Sequence, residues 1–310
     1  MRVVIIGQRS FGKAVLEAFL ARGDDIAGVF VAPEKEGAKP DVLRRFAEEK
    51  NVALFQFAHL GSDDALSTLN RLEADIAVMA YVLQFVPQEF ATLPRWGTIQ
   101  FHPSLLPKYR GPSAVNWAIV CGEQQTGVTV FRPTDGMDEG PVIVQKSVVI
   151  HEDDTAGSLY YERLFPLGVE ALLEAADKIT SGTARLQPQD SGAAHYEGWL
   201  RSAEAKINWH SHVRLIYNLI RGCHPKPGAW TLFHGKKITI LKADKTVHHA
   251  FDEVRGKTGS VVALDDGCLT VSGQGGEIHV FSVQVETGQK MNAVQWAKEN
   301  GLNVGMTLGD

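Results

Sequence analysis

Short apolar strands alternate with helix-length segments through the first hundred residues, and this alternation limits the fold more than any other feature. Val3–Ile6 is an apolar, β-branched run that ends at Gly7, as buried strands do. Apolar residues then recur at helical spacing from Phe11 to Leu20, and Gly23 favours the end of that helix. Further strands are predicted at Gly28–Val31, Val52–Phe55, Asp75–Ala80 and Thr98–His102. This alternation predicts a Rossmann-like α/β domain with a mostly parallel sheet and helices on both faces.

The later part of this domain is predicted to hold two more strands and one long helix. Val128–Phe131 and Val142–Ile150 indicate strands that are joined by a polar turn. From Leu159 to about Ile179 apolar residues repeat at helical spacing, with Phe165, Val169, Leu172, Leu173 and Ala176 on one face. We place this first domain at residues 1–182 and a linker of low periodicity at residues 183–203.

Residues 204–310 show a different pattern, in which a short helix precedes closely spaced strands. The helix is predicted over Val213–Ile220. The strands are Trp230–Phe233, Lys237–Lys242, Gly259–Leu264, Cys268–Ser272 and Ile278–Val285. Short strands at this spacing predict a smaller C-terminal β-rich domain, an open barrel similar to the OB fold.

The composition is that of an ordinary globular protein. Of the 310 residues 44% are hydrophobic and 22% charged, and no segment reaches the roughly 20 apolar residues of a spanning helix. The three cysteines are too few and too far apart for a disulfide framework, and the N-terminus does not resemble a signal peptide. We therefore expect a cytoplasmic protein with no membrane partner.

Two patterns that invite a cofactor or metal assignment do not support one. Gly7 and Gly12 are separated by four residues, whereas the dinucleotide fingerprint is Gly-x-Gly-x-x-Gly, so we expect no nicotinamide cofactor. Four histidines lie in two close pairs of the C-terminal part, away from the motifs described next, and we expect no metal there. They are His210, His212, His248 and His249.

A histidine and an aspartate stand where chemistry is expected in an α/β fold. His102 ends a predicted strand, and ligand sites in such sheets lie beyond the carboxyl ends of the strands. Asp138 lies in a glycine-bounded turn between the next two predicted strands. Taken alone, a histidine at a strand end is more often structural than catalytic, and a turn of this kind is usually a solvated loop.

Together the two stretches resemble the formyltransferase family that uses 10-formyltetrahydrofolate. The family signature is a strand with Asn-x-His, then a Ser-Leu-Leu-Pro-x-x-x-Gly loop, and later a Leu-Asp-x-Gly turn. This chain matches it with His102, Ser104–Pro107, Gly111 and Met137–Gly140. The resemblance covers nearly the whole chain and implies 10-formyltetrahydrofolate as the formyl donor.

Within this family the chain is most similar to the hydrolase portion of 10-formyltetrahydrofolate dehydrogenase, and next to methionyl-tRNA formyltransferase. The C-terminal likeness is carried by Lys206–Trp209 and by the stretch from Ile220 and Arg221 through Pro227–Trp230. Leu164–Pro166 and Ala194–Gly198 are similar to the dehydrogenase subgroup.

The resemblance also implies roles for individual residues. His102 would hydrogen-bond to the formyl oxygen or protonate near it, and Asp138 would orient His102 or prepare a water. Transferases carry Asn two residues before the histidine, whereas this chain has Gln100, which moves the amide by one methylene. Gln100 is therefore a third candidate catalytic residue, and it leaves hydrolysis open.

By the same resemblance the folate pterin would lie between two loops. The first follows the fourth strand and contains Val82, Leu83, Gln84 and Phe85. The second offers backbone groups of Pro133, Thr134, Asp135 and Gly136. The alternative for Leu83 and Phe85 is that both are core residues.

The charge distribution bears on the formyl acceptor. The net charge is −7 over residues 1–203 and +2 over residues 204–310, which disfavours a transfer-RNA acceptor without excluding it. We predict release of formyl to water or to a carrier, in which case a carrier or an aldehyde dehydrogenase would be a partner. Methionyl-tRNA formylation, formylation of another small amine and non-catalytic folate binding remain as alternatives.

Overall fold

A computed structural model describes residues 1–250, 255–265 and 267–309. The chain forms two compact units that alternate along the sequence. The first unit comprises residues 1–111, 126–148 and 161–196, and the second comprises residues 112–125, 149–160 and 197–310. The domain boundaries expected from the sequence, at residues 182 and 204, remain a prediction.

The first unit centres on a seven-stranded sheet. Its strands are β1 (Arg2–Gly7), β2 (Asp25–Phe30), β3 (Leu54–Phe55), β4 (Ile76–Ala80), β5 (Thr98–His102), β6 (Gln125–Phe131) and β7 (Val142–Val149). Their order is β3-β2-β1-β4-β5-β6-β7. The first five strands pair in parallel, and β6 runs antiparallel to β5. The predicted mostly parallel sheet is confirmed.

Helices pack on both faces of this sheet. They are α1 (Arg9–Arg22), α2 (Val42–Glu49), α3 (Asp63–Arg71) and α4 (Gln88–Thr92), with α7 (Phe165–Thr180) later in the chain; α5 (Ala114–Val120) and α6 (Ala156–Leu159) belong to the second unit. On one face Val4 and Ile6 of β1 are buried in a cluster with residues of α3 and α4. On the other face Phe11 of α1 stacks on Phe101 of β5, with ring centroids 4.3 Å apart.

Two helix expectations have different outcomes. Gly23 ends α1 in the left-handed conformation, with φ +88°, as its sequence position predicts. The long helix expected from Leu159 to Ile179 forms as a continuous helical stretch, but a π-helical turn at Tyr160–Leu164 breaks the regular α-helical hydrogen bonding between α6 and α7. Pro166 near the start of α7 cannot donate a backbone hydrogen bond, which favours such a break.

The buried face of α7 differs in part from the predicted one. Its buried face consists of Gly168, Ala171, Leu172, Ala175, Ala176 and Ile179. Phe165, Val169 and Leu173 of the predicted face are only partly buried. Gly168 lies so close to the Phe101 ring that an added Cβ would stand 2.4 Å from it, so small residues bring α7 against the sheet.

The Glu34 carboxylate, in the segment between β2 and α2, accepts hydrogen bonds from several groups around it. Burial alone would raise the pKa of Glu34, but hydrogen bonds from Gln56 and from the Asp41 amide outweigh it and lower that pKa to about 2. Arg44 also donates to Glu34, at 3.0 Å. The ionised form of Glu34 is therefore the one that the fold stabilises.

The second unit contains an antiparallel sheet, which confirms the predicted β-rich character of the C-terminal part. Its strands are β8 (Trp230–Phe233), β9 (Lys236–Val247), β10 (Val261–Asp265), β11 (Cys268–Gly273), β12 (Gly276–Val285) and β13 (Lys290–Asn292), and its longer helices are α8 (Val213–Gly222) and α9 (Ala293–Glu299). Five strands follow the order β10-β11-β12-β9-β8, and β13 pairs with β12. The sequence analysis missed β13 and α9 and made β9 too short.

Two negative findings hold for the described parts of the chain. Residues 1–250, 255–265 and 267–309 contain no group of three or more His, Cys, Asp or Glu side chains arranged to hold a metal ion. Over the same residues, none of the helices combines the length and the apolar character that crossing a membrane requires.

Candidate active site

Strand β5 places two candidate residues on the same side of the sheet. Side chains alternate along a strand, so Gln100 and His102 share one face. Gln100 pairs with Met79 of β4 and with Phe131 of β6. This pairing puts Gln100 and His102 inside the sheet, near its carboxyl edge. Here the parallel part of the sheet meets the antiparallel strand β6.

The side chains of His102 and Asp138 meet in a buried pair. Nδ1 of His102 lies 3.5 Å from Oδ2 of Asp138, and each side chain is 7% exposed. Nε2 of His102 lies 2.8 Å from the carbonyl oxygen of Tyr109, which only accepts, so Nε2 carries a hydrogen. Nδ1 therefore faces the carboxylate, and a proton between these two atoms is the one that the pair can give or take.

Backbone and side-chain contacts fix the Asp138 carboxylate. Asp138 has φ +56°, in the left-handed region that few non-glycine residues adopt. Its Oδ2 accepts the Gly111 N–H at 2.9 Å, and its Oδ1 lies 3.4 Å from Nε2 of Gln100. The structure thus brings the three predicted catalytic residues together, and Gln100 points its amide at Asp138.

The loop after β5 is held by internal hydrogen bonds. The Ser104 hydroxyl donates to the Lys108 carbonyl at 2.6 Å. Thr129 of β6 donates to the Ser104 carbonyl at 2.6 Å and accepts the Leu106 N–H at 3.2 Å. Gln145 of β7 donates to the Leu106 carbonyl at 2.9 Å. These bonds fix the loop that supplies the carbonyl partner of His102.

Two glycines of the Asp138 turn differ in what surrounds them. A Cβ on Gly140 would lie 1.5 Å from the Arg132 carbonyl oxygen, which is backbone and cannot move aside. A Cβ on Gly136 would meet the end of the Glu139 side chain, which is flexible. Only Gly140 is therefore required by close packing.

The two predicted folate loops lie next to each other. Gln88, at the start of α4, donates to the Pro133 carbonyl at 3.0 Å and so joins them. Leu83 is 56% exposed and Phe85 is 70% exposed, so the alternative that both are core residues is wrong. Gln84 donates to the Phe57 and Ala58 carbonyls and pins its own loop.

The remaining residues of the two loops vary in exposure. Val82 packs partly buried against a core cluster. Thr134 and Asp135 are exposed, whereas Pro133 and Gly136 are partly buried. Their role in folate binding stays a prediction.

Sequence analysis missed a group of residues that touch the site from the supposed linker. Gln189 donates to the Asp138 and Gly140 carbonyls, and Tyr196 donates to the Met137 carbonyl at 3.2 Å. Burial, together with the nearby carboxylates of Asp138 and Glu139, raises the pKa of Tyr196. Of these residues, only Tyr196 lay in a stretch that the family resemblance singled out.

Comparison with known proteins finds sequence similarity over most of the chain. Residues 1–176 match the sequence model of the formyl transferase family, and residues 200–301 match that of the formyl transferase C-terminal domain. The chain is 33% identical over 308 residues to cytosolic 10-formyltetrahydrofolate dehydrogenase of Mus musculus, covering 96% of this chain and 34% of that protein. It is 33% identical over 319 residues to methionyl-tRNA formyltransferase of Pelotomaculum thermopropionicum, covering 100% of this chain and 99% of that protein.

A solved structure shows the same fold. HypX from Aquifex aeolicus in complex with tetrahydrofolic acid superposes with a TM-score of 0.68 at 19% identity, covering 98% of this chain and 48% of that one. The present chain spans about a third of the length of the dehydrogenases that it matches.

Proposed function

Because this chain belongs to the formyl transferase family, we propose that it cleaves the formyl group from 10-formyltetrahydrofolate and passes that group to water. The observation that carries the proposal is the buried His102–Asp138 pair at the carboxyl end of β5. This pair can move a proton, as removal of formyl from N10 of a folate requires. The loop after the neighbouring strand β4 exposes Leu83 and Phe85, which could seat an aromatic ring of the folate. Release to water is the part of the proposal that rests on Gln100.

The proposed hydrolysis can be written with His102, Asp138 and Gln100 so that every proton and bond is accounted for. A water attacks the formyl carbon and gives one proton to Asp138, while negative charge develops on the formyl oxygen. The Nε2–H of His102 meets that charge once it leaves the Tyr109 carbonyl, or the Gln100 amide does once it turns away from Asp138. The bond from carbon to N10 then breaks, N10 takes the proton back from Asp138, and tetrahydrofolate leaves together with formate. The other proton of the water goes to solvent when formic acid ionises.

Gln100 supports water as the acceptor. Its amide nitrogen lies 3.4 Å from Asp138, so it helps to hold the carboxylate that would take the proton of the water. The Asn of transferases is shorter by one methylene. Because the longer Gln100 side chain directs its amide to Asp138, the space around the formyl carbon would stay open to a small nucleophile such as water.

The folate would sit against the exposed part of the first loop. Leu83 and Phe85 offer apolar surface to the pterin or to the neighbouring ring. Backbone groups of residues 133–136 would meet the pterin edge, which has both donors and acceptors. We propose a cytoplasmic enzyme that needs neither a metal nor a nicotinamide for this step.

Methionyl-tRNA formylation is the second candidate, because the transferase of Pelotomaculum thermopropionicum matches this chain over nearly its full length. The acidic balance of residues 1–203 weighs against it, since transfer RNA binding needs many basic contacts. The likeness to the dehydrogenase instead allows a carrier and an aldehyde dehydrogenase as partners. Both options, like a small-amine acceptor, differ from our proposal only in the acceptor.

The acceptor is tested by measuring two products. Purified protein is incubated with 10-formyltetrahydrofolate, with and without initiator methionyl-tRNA, and both tetrahydrofolate and formate are quantified. We expect equal amounts of the two without RNA, and loss of both in His102→Ala and Asp138→Ala. Tetrahydrofolate release only with charged RNA would overturn the water proposal, and folate binding without any release would indicate a non-catalytic protein.

A further inference from the structure

A short segment after α7 makes hydrogen bonds to the loop after β5 and to the turn that carries Asp138. We name residues 189–196 the strap. The His195 carbonyl accepts the Arg110 N–H at 2.9 Å, and the His195 N–H donates to the Pro107 carbonyl at 3.1 Å, so one end of the strap pairs with the loop after β5. At its other end Gln189 contacts the turn that carries Asp138.

Gln189 makes contacts that suit its side-chain amide. Its Nε2 donates both hydrogens, to the Asp138 carbonyl at 2.8 Å and to the Gly140 carbonyl at 2.7 Å. Its Oε1 accepts from Nε and from the second terminal nitrogen of Arg110, at 3.2 and 2.9 Å. Two carbonyls on one side and a guanidinium on the other leave a single orientation for this amide.

Arg110 is itself anchored. It is 5% exposed, and its remaining terminal nitrogen lies 3.3 Å from a Glu139 carboxylate oxygen. Arg110 immediately precedes Gly111, whose N–H binds the Asp138 carboxylate. Gln189 therefore closes a ring of contacts through Arg110 and Gly111 back to Asp138.

We propose that Gln189 is a positioning residue, which holds the left-handed backbone of Asp138 so that its carboxylate faces Nδ1 of His102. Asp138 has an uncommon backbone conformation, and the two carbonyls that Gln189 binds flank Glu139. Without that support the turn is free to relax, and the 3.5 Å contact between Asp138 and His102 would lengthen. The expected fall in kcat rests on the function proposed above, whereas the expected lengthening of the contact between Asp138 and His102 does not.

The test replaces Gln189 by Glu, which keeps its size and the acceptor for Arg110 but loses both donors. We expect kcat for tetrahydrofolate release to fall roughly 10-fold or more, with the KM for the folate within about twofold of wild type. Gln189→Asn withdraws the amide by about 1.5 Å and should give the same pattern. The matched control is Gln187→Glu, in the same part of the chain but with an exposed side chain, and we expect wild-type kinetics.

A spectroscopic measurement separates this proposal from the proposed function. Nitrogen NMR of protein labelled in histidine reports the environment of the His102 ring, whose signals are assigned with a His102→Gln variant. We expect Gln189→Glu to move those signals in the same direction as Asp138→Asn, and Gln187→Glu to leave them in place.

Unchanged His102 signals in a folded Gln189→Glu protein would overturn the positioning role, whatever its activity. An equal kcat loss in both Glu variants would overturn it as well. Absence of tetrahydrofolate release from the wild type would overturn the proposed function alone, because the ring signals still decide the role of Gln189. In an Asp138→Asn background, adding Gln189→Glu should lower the residual activity less than twofold.

Discussion

Replacing Gln100 by Asn tests whether this amide acts on Asp138 or directly on the substrate. The Gln100 amide nitrogen lies 3.4 Å from Oδ1 of Asp138. Asn is shorter by one carbon–carbon bond, about 1.5 Å, so the gap would grow to roughly 5 Å and the hydrogen bond would be lost. A hydrogen bond to a charged group contributes about 1.5–3 kcal/mol, and this long one belongs at the lower end. If the transition state loses this stabilisation and the bound substrate does not, kcat falls about 10-fold.

The assay is tetrahydrofolate release at saturating 10-formyltetrahydrofolate without RNA, and Gln100→Leu is the matched control. Leu approximates the size of Gln but has no donor, so we expect the Asn and Leu variants to lose activity to the same extent. Wild-type or higher activity in Asn, together with loss in Leu, would refute the reasoning. The amide would then act on the formyl oxygen from a position that the shorter side chain also reaches.

Three further predictions concern stability and reactivity. Gly140→Ala should destabilise the protein by about 3 kcal/mol or more in urea unfolding, whereas Gly136→Ala should change stability by less than about 1 kcal/mol; equal effects would contradict the packing argument. Because the folded pKa of Glu34 is about 2, its stabilising contribution is complete above pH ~4.5 and lost as the pH falls toward 2. Glu34→Gln should therefore lower the free energy of unfolding at pH 7 by about 1–2 kcal/mol after solvent screening, and the difference should shrink by pH 3. Burial raises the pKa of Cys223 to about 12, so a thiol reagent at pH 8 should modify exposed Cys121 first and leave Cys223 protected until unfolding, as peptide mass spectrometry would show.

The parts of the fold that follow from local rules are predictable from the sequence. Val3–Ile6 and Ile76–Ala80 are buried on both faces of a parallel sheet, so continuous apolar runs identify them as strands. Gly23 marks a helix end because its left-handed conformation excludes most other residues. The pairing of His102 with Asp138 could be expected because both stand in motifs that resemble the signature of the formyltransferase family, which implies their joint role.

Other features depend on contacts that no local pattern encodes. Gln189 bonds to a carbonyl 51 residues earlier in the chain, in a segment whose polar composition is typical of a linker. The π-helical turn at Tyr160–Leu164 lies inside an apolar repeat that reads as one uninterrupted helix. For α9 a local signal was present, since Asn292 accepts hydrogen bonds from Val294 and Gln295 as a helix cap.

The alternation of the two units along the chain has a consequence for anyone who wishes to shorten this protein. Helix α5 begins three residues after Gly111, which binds the Asp138 carboxylate, yet it belongs with α8, where Asn116 donates to the Gly222 carbonyl at 2.8 Å. Trp117 packs against the core formed by residues beyond 200. A fragment ending at residue 196 would keep every candidate catalytic residue but leave this apolar helix uncovered, and it should aggregate. The candidate catalytic residues therefore cannot be isolated by cutting the chain once after the first unit, because the second unit begins before that unit is complete.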